Sequence, residues 1–238
     1  MRAVLTFHSV DDSGSVLSFA PRLFASLIEG LAAAGVPVLT YPALLKSEHG
    51  VALTFDDGMA SVQRHALPVL AAHNMPAHLF LTTGVLGKNN HWPSQPVAAP
   101  HFDMLSWDQV EACAEKGILI EAHTEIHPDL RTLADGDIVD ECRRADAAIL
   151  RRLGRSPRLF AYPYGRSDPR VRKVVGGLYE ACFSTKLAYM PRLPTANDVP
   201  RLDTWFLRDP RLHSRLFSPS TRAYIALRAG VRALRGKA

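Results

Sequence analysis

Short apolar runs rich in β-branched and aromatic residues alternate along the chain with stretches whose apolar residues recur at helical spacing. The first kind predicts strands at residues 4–7, 36–39, 52–55, 78–82, 118–122, 159–162, 181–184 and 199–202. The second kind predicts helices at residues 22–34, 61–73, 107–116, 135–153 and 169–176. Strands that alternate with helices in this way become parallel, with the helices covering the outside, so the class is α/β. Local signals mark several ends. Ser106 and Gln109 have the spacing of a capping box, and Gly35, Gly117 and Gly154 follow helices where a left-handed residue is needed. Pro68 falls inside the second helical stretch, where its missing N–H and its ring predict a kink or a break. The longest irregular stretch, residues 87–105, holds His91, Trp92 and His101. A connection of that length in a compact domain is usually functional, which predicts part of a substrate rim.

Composition narrows this picture only modestly. A chain of 238 residues, 47% of them hydrophobic, suits one α/β barrel with a large core. Charged residues are spread evenly before residue 210, which argues against a nucleic-acid arm there. The net charge of +5 comes partly from Arg and Lys residues in the last positions, Arg211 to Lys237. The expected division is therefore a barrel over 1–210 and a basic C-terminal extension over 211–238. Residues 219–235 predict an amphipathic helix, with Tyr224, Leu227, Val231 and Leu234 on one side and Arg228, Arg232 and Arg235 beside them. Docking on the barrel is the expected role of this helix, and contact with a membrane surface is the alternative. Cys113, Cys142 and Cys182 lack metal-ligand spacing and read as reduced core residues. The first residues, Met1 to His8, read as a strand and not as a signal peptide, so a cytoplasmic location is expected. No run approaches the ~18 apolar residues that span a bilayer. Nothing in the patterning fixes the oligomeric state.

The strongest chemical signal is Leu53-Thr54-Phe55-Asp56-Asp57-Gly58, an apolar run that ends in two adjacent carboxylates and a glycine. Taken alone, such a run also suits a turn or a helix cap. The carboxyl ends of parallel strands, however, surround the open mouth where α/β folds present catalytic groups. A second signal is Glu121-Ala122-His123-Thr124-Glu125-Ile126-His127-Pro128, with two histidines four apart directly after a predicted strand. Neutral imidazoles from one strand end and a carboxylate from another make a two-His, one-Asp set with open positions for water and substrate. The adjacent aspartates then divide the work, one bound to metal and one free to take a proton.

Thr54-Phe55-Asp56-Asp57, His123-Thr124-Glu125-Ile126-His127-Pro128 and Tyr162-Pro163-Tyr164-Gly165 resemble, in order, the first three motifs of the polysaccharide deacetylases. These are also called NodB-homology or carbohydrate esterase family 4 enzymes. The resemblance implies a distorted (β/α)7 barrel and hydrolysis of an N-acetyl or, less often, O-acetyl group on a sugar. It makes Asp56 the base and Asp57, His123 and His127 the ligands of one divalent metal ion. Zinc suits these ligands by type, and cobalt, nickel or iron are alternatives. Tyr164 would line the groove and donate its backbone N–H to the oxyanion. Tyr162 and Trp205 are further candidates for substrate contact, Trp205 by stacking on a sugar ring. The expected partner is an acetylated saccharide.

Two departures from the commonest family pattern matter. Many members place an Arg three residues before the Tyr of the third motif, where this chain has Ala161. Arg201, in Pro200-Arg201-Leu202-Asp203, is the candidate for the missing cation. The early Thr6-Phe7-His8-Ser9-Val10 is closer to the branch associated with exopolysaccharide synthesis, similar to poly-N-acetylglucosamine deacetylases. That branch points to His8 as the general acid. His213, in Arg211-Leu212-His213, loosely matches the late Leu-x-His motif of the wider family and is the alternative. Two other readings stay open: hydrolysis of a small amide or formamide on the same fold, and a silent carbohydrate-binding protein. A free carboxylate beside a metal ligand argues against the silent protein.

Overall fold

A computed structural model describes residues 1–96 and 98–234. The strands are β1 (Arg2–Phe7), β2 (Gly50–Phe55), β3 (Ala77–Leu81), β4 (Ile118–Ala122), β5 (Leu159–Ala161), β6 (Ala181–Leu187) and β7 (Val199–Asp203). Each pairs in parallel with the next, and β7 pairs with β1, so the sheet closes into the expected seven-strand barrel. The surrounding helices are α1 (Pro21–Ala33), α2 (Tyr41–Lys46), α3 (Leu67–Ala72), α4 (Trp107–Glu115), α5 (Asp135–Leu153), α6 (Pro169–Gly176) and α7 (Pro219–Leu234). Among the described residues no helix is long and apolar enough to cross a membrane.

Both faces of every strand are covered, which is why the strands read as continuous apolar runs. Alternate residues serve different layers. Leu5, Leu53, Leu79 and Ile120 point outward into a cluster with Phe24, Leu27 and Ile28 of α1. Val4, Ala52, Phe80, Ala161, Phe183 and Val199 fill the barrel, closed at its amino end by Tyr41 and Leu44 of α2. Above that apolar layer the interior turns polar, with Thr6, Thr54 and Arg201 buried just below the mouth. Among the residues that follow the strand ends, His8, Asp56, Thr82 and His123 surround that mouth.

Several expectations are corrected. Residues 36–39 form no barrel strand: Val38 makes a single parallel bridge to Val51, flanked by bonds between Pro37, Val51 and Leu39. β2 pairs with β3 only at Thr54 and Phe55, and the Val38 segment covers the edge this leaves. The stretch 61–73 is helical as expected, and the irregularity that Pro68 predicts takes the form of a π-helical turn, Val62–Ala66, that runs into α3. Pro68 sits in the first turn of α3, where its missing N–H does no harm, and the wider turn absorbs the mismatch before it. α2 has too few residues for a readable period, although Thr40 caps it. In α7, Thr221 and Ile225 are buried, but Leu227 and Leu234 are 66% and 90% exposed, contrary to their expected place beside Tyr224. Arg235 lies outside the described residues.

Candidate active site

Strained backbone marks the site before any side chain does. Asp57, Thr124, His127 and Tyr164 all hold positive φ, at 74°, 69°, 55° and 59°. Among the described non-glycine residues only Asn74 shares that conformation. Such residues persist where the surroundings over-determine them, and they gather at functional sites. Here glycines make room for the turns. At Gly58, with φ of 99°, a Cβ would lie 2.6 Å from Leu81, and at Gly165 it would collide with Thr185.

Three of the predicted residues converge on one point. His123 Nε2 lies 3.2 Å and His127 Nε2 3.5 Å from Asp57 Oδ1, and all three side chains are nearly fully buried. His123 Nδ1 lies 2.8 Å from the Ala161 carbonyl, which only accepts, so Nδ1 carries a proton and Nε2 is the nitrogen turned toward Asp57. Burial pushes the His127 pKa down to about 3, so this ring is neutral at ordinary pH. Burial alone would raise the Asp57 pKa, but the imidazoles of His123, His127 and His8 outweigh it and hold the carboxyl ionised. Asp57 Oδ1 has no hydrogen-bond partner. An orphaned buried carboxylate oxygen between two imidazole nitrogens is costly on its own and complementary to a cation. The set within 4.8 Å therefore fits one divalent ion.

Asp56 points the other way, into the barrel. Arg201 holds it in a fork, with Nη1 to Oδ1 and Nη2 to Oδ2 both 2.7 Å, and donates from Nε to the Ser184 carbonyl at 3.0 Å. The guanidinium lies over the rings of Phe80 and Phe183, 5.8 and 6.0 Å from their centres. Burial acts to raise the Asp56 pKa, and Arg201, by charge and hydrogen bond, more than reverses it. The cation absent at Ala161 is thus supplied from β7. His8 reaches the same carboxylate from β1, Nε2 to Oδ2 4.0 Å, and keeps 24% of its side chain exposed at the mouth.

His213 is elsewhere. It is buried between α1 and the segment after β7, with Nδ1 3.0 Å from Ser26 Oγ and Nε2 2.8 Å from the Leu207 carbonyl. Nor does Tyr162 face the mouth. Its ring packs on Phe160 in the outer core and its hydroxyl donates to the Asn197 carbonyl, because alternate residues of a strand point to opposite faces. Trp205 stands at the rim after β7, 37% exposed, with the Arg208 guanidinium 3.6 Å from its ring centre.

Tyr164 does reach the site, and it brings the long loop with it. Its ring meets His127 edge-on at 4.4 Å, and its hydroxyl donates to the Ser94 carbonyl at 2.9 Å. Trp92 lies 4.2 Å from His127, ring to ring, and donates from Nε1 to the Tyr164 hydroxyl at 3.0 Å. Ser94 donates to the His127 carbonyl at 2.6 Å. No motif singles out Trp92 or Ser94; Trp92 reads only as an aromatic that could stack on a sugar ring, in a loop whose length hints at a place in the rim. Glu141, buried on α5 behind the histidine turn, gave no sequence signal at all.

The model of the polysaccharide deacetylase family matches residues 45–178, which span all three motifs. A chitin deacetylase of Colletotrichum lindemuthianum is 30% identical over 64% of this chain and 55% of its own length. The poly-β-1,6-N-acetyl-D-glucosamine N-deacetylase of Staphylococcus aureus is 24% identical over 65% of this chain and 54% of its own. The chain thus spans little more than half the length of these relatives. Among solved structures, IcaB from Ammonifex degensii superposes with a TM-score of 0.73 at 26% identity, covering 90% of this chain and 97% of that one. The Streptococcus pyogenes deacetylase PplD, at 19% identity and a TM-score of 0.72, shares the fold. Matched over more than half its length by the family model, with the motifs gathered at one barrel mouth, the chain belongs to the polysaccharide deacetylase family.

Proposed function

We propose that the protein hydrolyses the acetyl group of an N-acetylated saccharide, using one divalent metal ion held by Asp57, His123 and His127. The observation that carries this reading is the division between neighbours. Asp57 Oδ1 is left for a cation, while Asp56 is turned away and kept ionised by Arg201. When bound, the ion would polarise the acyl oxygen and lower the pKa of water toward ~7. Asp56 takes the proton of the attacking water, and Arg201 keeps its carboxylate ionised and oriented for that step. The left-handed turn at Tyr164 would let its backbone N–H donate to the oxygen that gains charge. His8, exposed at the mouth and within 4.0 Å of Asp56, delivers a proton to the departing amine. Trp92 and Tyr164 wall the site on the His127 side and limit access of water.

Support for a sugar substrate comes from the relatives, whose names specify chitin and poly-β-1,6-N-acetyl-D-glucosamine. The test is mass spectrometry of an acetylated saccharide panel after incubation with protein loaded with zinc or cobalt. Loss of about 42 Da per sugar is expected, as acetyl is replaced by hydrogen. Loss of about 28 Da from formylated compounds alone would move the substrate to the formamides. A panel unchanged by metal-loaded protein would contradict hydrolysis of these substrates.

A further inference from the structure

His123 ends a strand, but His127 hangs on a turn. That turn contains two of the left-handed residues, Thr124 and His127, neither of them glycine, so its shape must be imposed from outside. Part of the restraint is on its carbonyl side. Thr83 and Gly84 donate their N–H groups to the carbonyls of Thr124 and Glu125 at 3.3 and 2.8 Å. A Cβ at Gly84 would lie 2.8 Å from the Glu125 oxygen, so this approach requires glycine. On the amide side the His127 N–H donates to Thr124 Oγ1 at 3.0 Å, and one carboxylate from outside the turn holds the two amides between them. Glu141 Oε2 accepts the N–H groups of both Glu125 and Ile126, each at 3.1 Å. Its other oxygen accepts from Arg144 at 2.7 Å, and Arg144 also pairs with Glu125. Glu141 is only 4% exposed. A charge buried this deeply is costly unless paired and hydrogen-bonded, and a leucine would pack the helix without that cost.

We infer that Glu141 is a positioning residue for the metal centre. Its carboxylate fixes the backbone turn from which His127 reaches Asp57 and thereby sets the affinity for the divalent ion. The inference rests on the metal reading above. It assigns the charge on α5 a task that helix packing does not require, and it explains how a histidine off the strand keeps its register with one on it.

The test uses the full chain and cobalt(II) alone as the probe, with affinity measured by competition against a chromophoric chelator. Glu141→Ala is expected to weaken cobalt binding about 10- to 100-fold. Glu141→Gln, which keeps an acceptor oxygen without the charge, should fall between it and the parent. Hydrogen exchange at the Glu125 and Ile126 amides should speed up in the alanine variant while β1 and β2 amides keep their protection. Ile149→Ala removes packing at the far end of the same helix and serves as the stability control. It should lower the melting temperature yet leave cobalt affinity within about twofold. Parent-like affinity in the glutamine and alanine variants, or equal loss in the Ile149 control, would overturn the inference. Should the alanine variant fail to fold, parent-like affinity in Glu141→Gln alone would do so. A parent chain that takes up no cobalt would overturn the metal reading and this inference together. Parent binding abolished by His123→Ala but untouched at Glu141 would overturn this inference only.

Discussion

The proposed division of labour at the mouth follows from which partner each carboxylate finds. Asp56 and Asp57 are adjacent in sequence, yet the left-handed turn at Asp57 sends one side chain to Arg201 and the other to the histidines. Arg201→Met would leave a buried carboxylate without its cation, a loss on the order of 3–5 kcal/mol in comparable buried pairs. The pH consequence has a definite sign. With Arg201 present the Asp56 pKa is lowered, so the pair's contribution to stability is full above the ordinary carboxylate range and is lost as pH falls from there through the lowered value. Without Arg201 burial dominates, the pKa rises, and the acidic limb of the kcat/KM profile moves to higher pH. A limb unmoved in a folded Arg201→Met variant would sever Arg201 from the base. The histidines separate in the same way. His8→Ala should slow amide hydrolysis about 10²-fold or more and spare much of the activity on an activated aryl acetate, which needs no proton for its leaving group. His213→Ala should instead lower the melting temperature, since it removes the bonds to Ser26 and Leu207, and leave the rate per folded molecule unchanged. Crippled amide turnover in His213→Ala with a normal His8→Ala would reverse the assignment.

Elements that carry a strong period, or that end in chemistry, were legible in the sequence. The strand ahead of Asp56, the strand ahead of His123 and the helix 135–153 all stand where periodicity places them. Interactions between distant segments were not legible. The Val38 segment is as apolar as a barrel strand, and only the short pairing of β2 with β3 shows that it covers an edge instead. Tyr162 belongs to the motif that carries Tyr164, and the strand's alternation sends it into the outer core. The loop 87–105 reads as irregular, but its length gives no sign that Trp92 would stack on His127. Trp92→Ala is therefore expected to raise KM and weaken metal binding, and also to lower the melting temperature, because Trp92 is buried in a small cluster with Met59, Val85 and Met104. Unchanged KM and unchanged metal affinity would remove the loop from the site.

At the scale of the whole molecule, the barrel separates stability from chemistry. Apolar layers and the α2 plug close one end, and polar, strained residues occupy the other. α7 packs beside it through Ile225, Thr221 and Tyr224, with Arg228 over the Phe206 ring. Ending the chain after Ser218 would expose that apolar contact, and burial of a large aliphatic side chain contributes about 1.5–3 kcal/mol. The expected fall in Tm is about 5 °C or more for a chain of this size. Parent-like Tm would show that α7 adds nothing to the barrel. The central claim is that neighbouring aspartates hold different offices, one for the ion and one for the proton. It is tested most directly by measuring bound metal and deacetylation rate together in Asp56→Asn. The account predicts metal content close to that of the parent, with turnover lowered by about 10³-fold or more. Metal lost to the extent seen in Asp57→Asn, or turnover near that of the parent, would contradict it.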